Sequence, residues 1–344
     1  MKGMVAVMSE NTYEKEYRGT LIRIGASMLM LLLMFNVLFV IQSAVGEVLE
    51  KLLDYQSYYI VDQLLYGLTY AAVFFIPVAF FYILGGRRSQ PVLTQVRLDR
   101  QFPLMLVASV AVILCAATIN YYFMETVHFS EFTRVFIQDD PLDTNYKLVM
   151  AVFTSAIVPA FVEELLFRGV VLTNILPYGR TPAVLISAVL FGLMHQNPGQ
   201  IFYATMAGVV LGLVYVRTRS IWGGVIIHFV NNLFSVFEQL LFDRLEAAQA
   251  SELCTYIEGV LFLAGVICII ILIRTNKRRV RDFSESGFGR VLEPDEMYVE
   301  RPLEKGRAVR QFFNPTVTIF MIISCLEMLY YIILALQLYA GVVS

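Results

Sequence analysis

Three short patterns place ionisable and amide side chains inside apolar stretches of this sequence. A charged group near the centre of a membrane span costs at least ~2.5–3.5 kcal/mol, so such residues need a structural or chemical reason. The patterns are Glu-Glu-x-x-x-Arg at Glu163, Glu164 and Arg168, Phe-x-x-x-His at Phe191 and His195, and His-x-x-x-Asn at His228 and Asn232.

The spacing of these residues separates their expected roles. Glu164 and Arg168 are four residues apart, so on a helix they share a face and can form an ion pair. His228 and its partner Asn232 have the same spacing. Glu163 and Glu164 are adjacent and point about 100° apart on a helix, so we predict different roles for the two carboxylates.

A carboxylate, two imidazoles and an amide at similar membrane depth contain the groups that peptide hydrolysis needs. These are a base for water, a residue that positions the water, and donors for the developing oxyanion. Each residue alone has a plainer explanation, because an intramembrane histidine often bonds a buried carbonyl and a Glu–Arg pair often joins helices. Three such segments in succession favour a common site.

The composition identifies the elements that must position these groups. Hydrophobic residues make up 58% of the 344 residues and charged residues 16%, against ~45–50% and ~25% in soluble domains. The apolar runs are as long as helical membrane spans, and strand alternation is absent. We predict an all-α polytopic transmembrane bundle of eight or nine spans, with the active site in a cavity among the central helices.

The predicted organisation follows these apolar runs, and the first run is interpreted as a retained span because it is too long for a signal peptide. In order, the segments are a cytoplasmic tail (1–20), N-terminal membrane helices (21–123), a catalytic core (148–242), a membrane helix (255–273), a cytoplasmic loop (274–311) and a C-terminal membrane helix (315–341).

Basic residues are distributed unevenly between the two sides of this arrangement. With the N-terminus in the cytoplasm, 21 of the 26 Lys and Arg residues fall in cytoplasmic segments, as the positive-inside rule requires. Arg87, Arg88, Arg97 and Arg100 form one such cluster. We therefore predict a multi-pass protein of the cell membrane with a cytoplasmic N-terminus, in contact with lipid. The net charge of −2 gives no indication of nucleic-acid binding.

The order and membrane context of the three motifs resemble the CPBP family, which includes CAAX prenyl endopeptidases, bacteriocin-processing enzymes and Abi proteins. The resemblance covers about 148–242, and the N-terminal spans carry no motif. It implies an intramembrane endopeptidase acting on a membrane-anchored protein or peptide, in CAAX-type processing or in bacteriocin processing and self-immunity.

The same resemblance implies a role for each residue. Glu163 would be the general base for water, and His195 would help to hold that water. His228 and Asn232 would stabilise the oxyanion. The remaining motif residues, Glu164, Arg168 and Phe191, would support the site structurally.

Three alternatives remain open at this stage. Two histidines and a carboxylate suit catalytic zinc, so Glu163, His195 and His228 could instead be metal ligands. HExxH is absent, and an amide donor at Asn232 is more useful without a metal, so we expect no cofactor. The other two alternatives are a transporter with a buried carboxylate relay and a non-catalytic immunity or scaffold protein.

Overall fold

The computed structural model describes residues 10–86, 89–96, 98, 100–126, 140–285 and 307–343, and this part of the chain contains helices and no strand. The all-α prediction is confirmed. The helices are α1 (Glu10–Leu52), α2 (Tyr55–Gly85), α3 (Phe102–Thr126), α4 (Asn145–Tyr178), α5 (Arg180–Met194), α6 (Pro198–Thr218), α7 (Ile221–Arg244), α8 (Ala247–Glu285), α9 (Arg307–Phe312) and α10 (Pro315–Val343).

Eight helices in the described ranges are long and apolar enough to cross a membrane. One more apolar helix, α5, has 15 residues, which is fewer than the ~20 that a bilayer requires. Most of its side chains are buried between α4 and α6. The prediction of eight or nine spans is therefore confirmed, and the chain has the architecture of a multi-pass membrane protein.

Two helices extend beyond the apolar runs that predicted them. Helix α1 begins at Glu10, within the predicted tail. Helix α8 continues to Glu285, past the predicted span end at residue 273. Arg, Lys and Glu are good helix formers, so a helix can continue into water after its apolar part ends. Part of the predicted cytoplasmic loop, 286–306, lies outside the residues that the structure describes. The same is true of Arg87, Arg88 and Arg97 of the basic cluster, and of His128.

Helix α4 lies at the centre of the bundle and contacts α1, α2, α5, α6 and α7. The main apolar core combines side chains from several of these helices, including Tyr17, Phe74, Phe167 and Phe191. By contrast, few side chains in the apolar part of α8 are fully buried. Helix α8 packs mainly against α3, so it lies at the edge of the bundle, and its remaining apolar surface is suited to face lipid.

The central helix is irregular on both sides of the two glutamates. Val152–Ile157 and Leu165–Leu172 are π-helical, and the α-helical segment Val158–Glu164 lies between them. Pro159 in that segment has no N–H, so it cannot donate to the carbonyl four residues earlier, that of Ser155. Such π-helical turns occur frequently at functional sites.

Helices α5 and α6 approach closely because of a small residue. A Cβ at Gly208 would lie 2.8 Å from the Cα of Ala188, closer than Cβ atoms come in proteins. Close approach through small residues is a common way to join membrane helices. It also brings the backbone of α6 within reach of α4.

Candidate active site

The four residues predicted as catalytic line one cavity of about 450 Å³. They come from three helices or helix ends: Glu163 from α4, His195 from the end of α5, and His228 and Asn232 from α7. Other polar side chains around the cavity are Tyr66, Tyr70, Thr154, Ser155, Gln200, Tyr203, Asn231, Ser235 and Gln239. A polar cavity of this kind allows water to exist among membrane helices.

Glu163 has one carboxylate oxygen bonded and one free. Its side chain is almost fully buried, and Oε1 accepts a hydrogen bond of 2.6 Å from the hydroxyl of Tyr70. Oε2 is buried and has no hydrogen-bond partner. This oxygen lies 4.0 Å from Nε2 of His228. Glu163 therefore keeps one unused acceptor beside an imidazole in the cavity.

Glu164 forms the predicted ion pair with Arg168, which is confirmed. Nη1 of Arg168 lies 2.6 Å from Oε1 of Glu164, and both side chains are fully buried. Nη2 of Arg168 donates to the carbonyl of Gly208 on α6 at 3.2 Å. Gly224 on α7 leaves the space for this arrangement, since a Cβ there would lie 2.3 Å from Oε2 of Glu164. The pair thus joins α4, α6 and α7.

His228 lies between the two glutamates. Its Nδ1 is 3.3 Å from Oε1 of Glu164, while its Nε2 faces Glu163. A carboxylate only accepts hydrogen bonds, so this geometry assigns the Nδ1 hydrogen to the contact with Glu164. In the neutral ring Nε2 then accepts, and it becomes a donor when the ring carries a second proton.

His195 is oriented by the helix that carries it. Its Nδ1 lies 2.8 Å from the carbonyl oxygen of Phe191, so Nδ1 donates and Nε2 of the neutral ring keeps its lone pair. The Phe191 ring centre lies 4.6 Å from the Arg168 guanidinium, 5.1 Å from the His195 ring and 5.8 Å from the His228 ring. Phe191 therefore supports both imidazoles and the buried cation.

Asn232 is fixed by the irregular backbone of α4. Its Nδ2 donates at 3.0 Å to the carbonyl of Ser155, the same carbonyl that Pro159 cannot serve. The amide nitrogen has two hydrogens, so one remains for another acceptor. A neighbouring side chain, Asn231, donates to Oδ1 of Asn232 at 3.3 Å. The proline in α4 thereby helps to orient an amide on α7.

Sequence reasoning missed the tyrosines of the cavity. Tyr70 bonds Glu163, its ring stacks on that of Tyr66 at 6.1 Å, and both lie on α2, which carries no motif. The available signal was the four-residue spacing of these two hydroxyls within an apolar span, which places both on one helix face. Tyr203 on α6 also lines the cavity.

Among the residues that the structure describes, no group of three His, Cys, Asp or Glu side chains is arranged to hold a metal ion. His195 and His228 each have Nδ1 engaged with an oxygen acceptor, which leaves Nε2 of each ring available. The same Nδ1 contact is typical of zinc-ligating histidines, so the absence of a cofactor stays a prediction for the metal analysis described below.

Fold and cavity together define a polytopic helical membrane protein with a buried polar site. Residues 145–234 match the family described as Type II CAAX prenyl endopeptidase Rce1-like. The predicted resemblance is thereby confirmed, and the matched segment contains all seven motif residues.

A curated relative is named as a membrane peptidase. It is a Bacillus subtilis protein with the name "Putative membrane peptidase YdiL", 31% identical over 151 residues. The alignment covers 43% of this chain and 59% of the relative, so the chain spans less than two thirds of that protein's length. No solved structure matches the chain.

Proposed function

We propose that the protein is an intramembrane endopeptidase that hydrolyses a peptide bond of a membrane-associated protein or peptide. The observation that carries this proposal is the buried, unbonded Oε2 of Glu163, which lies beside His228 in a polar cavity. A carboxylate oxygen without a partner at this position is suited to take a proton from water. The Rce1-like match supports the same chemistry.

In the proposed reaction, water is activated between Glu163 and His195. Oε2 of Glu163 accepts one proton of the water as its oxygen adds to the carbonyl carbon of the substrate. Nε2 of His195, which keeps a lone pair because Nδ1 donates to Phe191, accepts the second hydrogen of the water as a hydrogen bond. Glu163 then returns the proton to the leaving nitrogen as the C–N bond breaks.

The developing oxyanion is stabilised by donors on α7. Asn232 offers its second amide hydrogen, and Ser155 holds the amide in place. His228 can donate from Nε2 when its ring is protonated, while its Nδ1 contacts Glu164. One donor of this kind contributes ~10²–10³-fold to turnover.

Tyr70 has a positioning role in this mechanism. Its hydroxyl donates to Oε1 of Glu163, which fixes the carboxylate plane and leaves Oε2 as the reactive oxygen. Glu164 and Arg168 act at a greater distance from the reaction, because their pairing sets the position of α4 against α6 and α7.

The direct test is a cleavage assay of the purified protein in lipid nanodiscs against membrane-anchored peptides, with Glu163→Ala as the inactive control. Product is expected with the wild-type protein alone. Activity in excess chelator, with no stoichiometric metal in the purified protein, is expected from the cofactor-free mechanism. Zinc bound one per chain and lost in His195→Ala would overturn it. Absence of cleavage together with solute uptake by proteoliposomes would support the transporter alternative.

We also propose a cytoplasmic N-terminus, based on the distribution of basic residues. Gln56, at the start of α2, is exposed and would then lie on the outer side. A single cysteine placed there in a cysteine-free background should react with an impermeant reagent added to intact cells. Labelling only after the cells are opened contradicts this orientation.

A further inference from the structure

A second cavity, of about 480 Å³, adjoins the first. Side chains from α3, α6, α7 and α8 surround it. Tyr203, Asn231 and Ser235 line both cavities, so a chain that occupies the first can continue into the second past these residues. Nothing in the mechanism above uses the second cavity, although it contains ionisable groups.

Two carboxyl groups face each other in this second cavity. Glu238 of α7 and Glu258 of α8 both line it, close enough for their charges to interact, and Thr118 of α3 donates to Oε2 of Glu258 at 3.2 Å. Two carboxylates this close repel each other when both are ionised, and a cation between them removes the repulsion. The pair therefore favours a positively charged ligand.

An independent feature of the same cavity is an unused acceptor. Asn120 of α3 is only 6% exposed, and its Nδ2 donates to the carbonyl of Gly199 at 2.6 Å. Its Oδ1 is buried and has no hydrogen-bond partner. A buried acceptor without a partner is costly, so this oxygen also favours a ligand that donates hydrogen bonds.

We propose that this cavity binds a lysine or arginine side chain of the peptide substrate. The proposal rests on the proposed function, because it makes the second cavity a specificity subsite of the same enzyme. An ammonium or guanidinium group supplies both the positive charge that the two carboxyls favour and the donors that the amide oxygen lacks. The described residues contain no three-ligand metal set, which favours the side chain over a metal ion.

The geometry also sets an expected distance from the cleaved bond. Glu238 follows His228 by ten residues on one helix, which is roughly 15 Å at ~1.5 Å per residue. An extended peptide covers roughly four residues over that length, at ~3.3–3.6 Å each. The basic residue is therefore expected about four positions from the scissile bond.

The test uses fluorescent membrane-anchored peptides that carry Lys, Gln or Glu in turn at each of six positions on either side of the cleavage site. The full-length protein and its Glu238→Gln, Glu258→Gln and Glu238→Lys variants are compared in nanodiscs. Glu252→Gln, an exposed glutamate on α8, is the matched control. Wild type and control are expected to prefer Lys over Gln at one position about 10-fold or more in kcat/KM.

The two Gln variants should bring this ratio close to one, and Glu238→Lys should shift the preference towards Glu at the same position. A purely structural role of the pair does not predict that reversal. Equal cleavage of Lys and Gln peptides at all positions by the wild type would overturn the subsite and leave the protease intact. Stoichiometric Ca²⁺ or Mg²⁺ binding that Glu238→Gln abolishes would also overturn it, in favour of a metal site.

Binding separates this inference from the proposed function. The affinities of the Glu163→Gln variant for the same Lys and Gln peptides are measured by fluorescence polarisation, without any cleavage. Preference for Lys that is lost when Glu238→Gln is added to this variant supports the cation subsite. The same preference beside a wild-type protein that cleaves no peptide refutes the protease and keeps the subsite. No preference in binding refutes the subsite.

Discussion

Glu163 and Glu164 are neighbours on α4 with the same side chain and almost complete burial, yet they lie in different surroundings. Each has one carboxylate oxygen without a hydrogen-bond partner. The Glu163 side chain lines a cavity, whereas the free oxygen of Glu164 lies against Gly224, where there is no space for even a Cβ. The comparison indicates that a neighbouring cavity, rather than the degree of burial, distinguishes the carboxylate proposed as reactive from the structural one.

The largest expected effect is on the Glu163 side. Glu163→Gln keeps the shape of the side chain and removes the base, so turnover should fall ~10²–10⁴-fold. The midpoint of thermal unfolding should stay close to that of the wild type. Cleavage of a membrane-anchored peptide and unfolding in detergent are measured on the same preparation. Normal turnover in this variant would refute the assignment of the base.

For the second carboxylate of the comparison, Glu164→Gln should mainly lower the free energy of unfolding. It leaves the fully buried Arg168 without its charged partner, a change that typically costs ~3–5 kcal/mol. Chemical unfolding in detergent micelles measures the loss. Replacing both partners, with Glu164→Gln and Arg168→Met together, should recover part of the stability because no unpaired charge remains. A stable but inactive Glu164→Gln beside an active Glu163→Gln would reverse the two assignments.

Asn232→Ala tests whether the cavity that Glu163 lines contains an oxyanion donor. We expect kcat to fall ~10²–10³-fold with KM nearly unchanged, because the donor acts in the transition state. Steady-state kinetics with one peptide separate the two parameters. A rise in KM at constant kcat would instead assign Asn232 to substrate binding.

The smallest expected effect comes from the hydroxyl that orients Glu163. Tyr70→Phe removes the hydrogen bond to Oε1, and a bond to a charged group contributes ~1.5–3 kcal/mol, or at least ~10-fold in turnover if orientation is its whole role. Tyr66→Phe removes a hydroxyl from the same face of α2 and should have a smaller effect. Equal effects of the two changes would argue against a specific role for Tyr70.

Spacing along single helices predicted part of this arrangement. The Glu164–Arg168 pair follows from four-residue spacing, and the apolar runs predicted the spans. The contacts of Tyr70 with Glu163 and of Asn232 with Ser155 join helices distant in sequence, so they depend on how the bundle assembles. The extension of α8 to Glu285 was not predicted. The length of an apolar run gives only the part of a helix that lies in the membrane, and α8 continues beyond it.

The carbonyl of Ser155 has a consequence for the order in which the bundle assembles. Pro159 deprives it of the usual α-helical partner, and the amide that bonds it belongs to Asn232, more than seventy residues later in the chain. The carbonyl of Ser155 on α4 therefore gains this hydrogen bond only after α7 has inserted and docked against α4. The hydrogen bonding of the earlier helix is complete only when the later helix is in place.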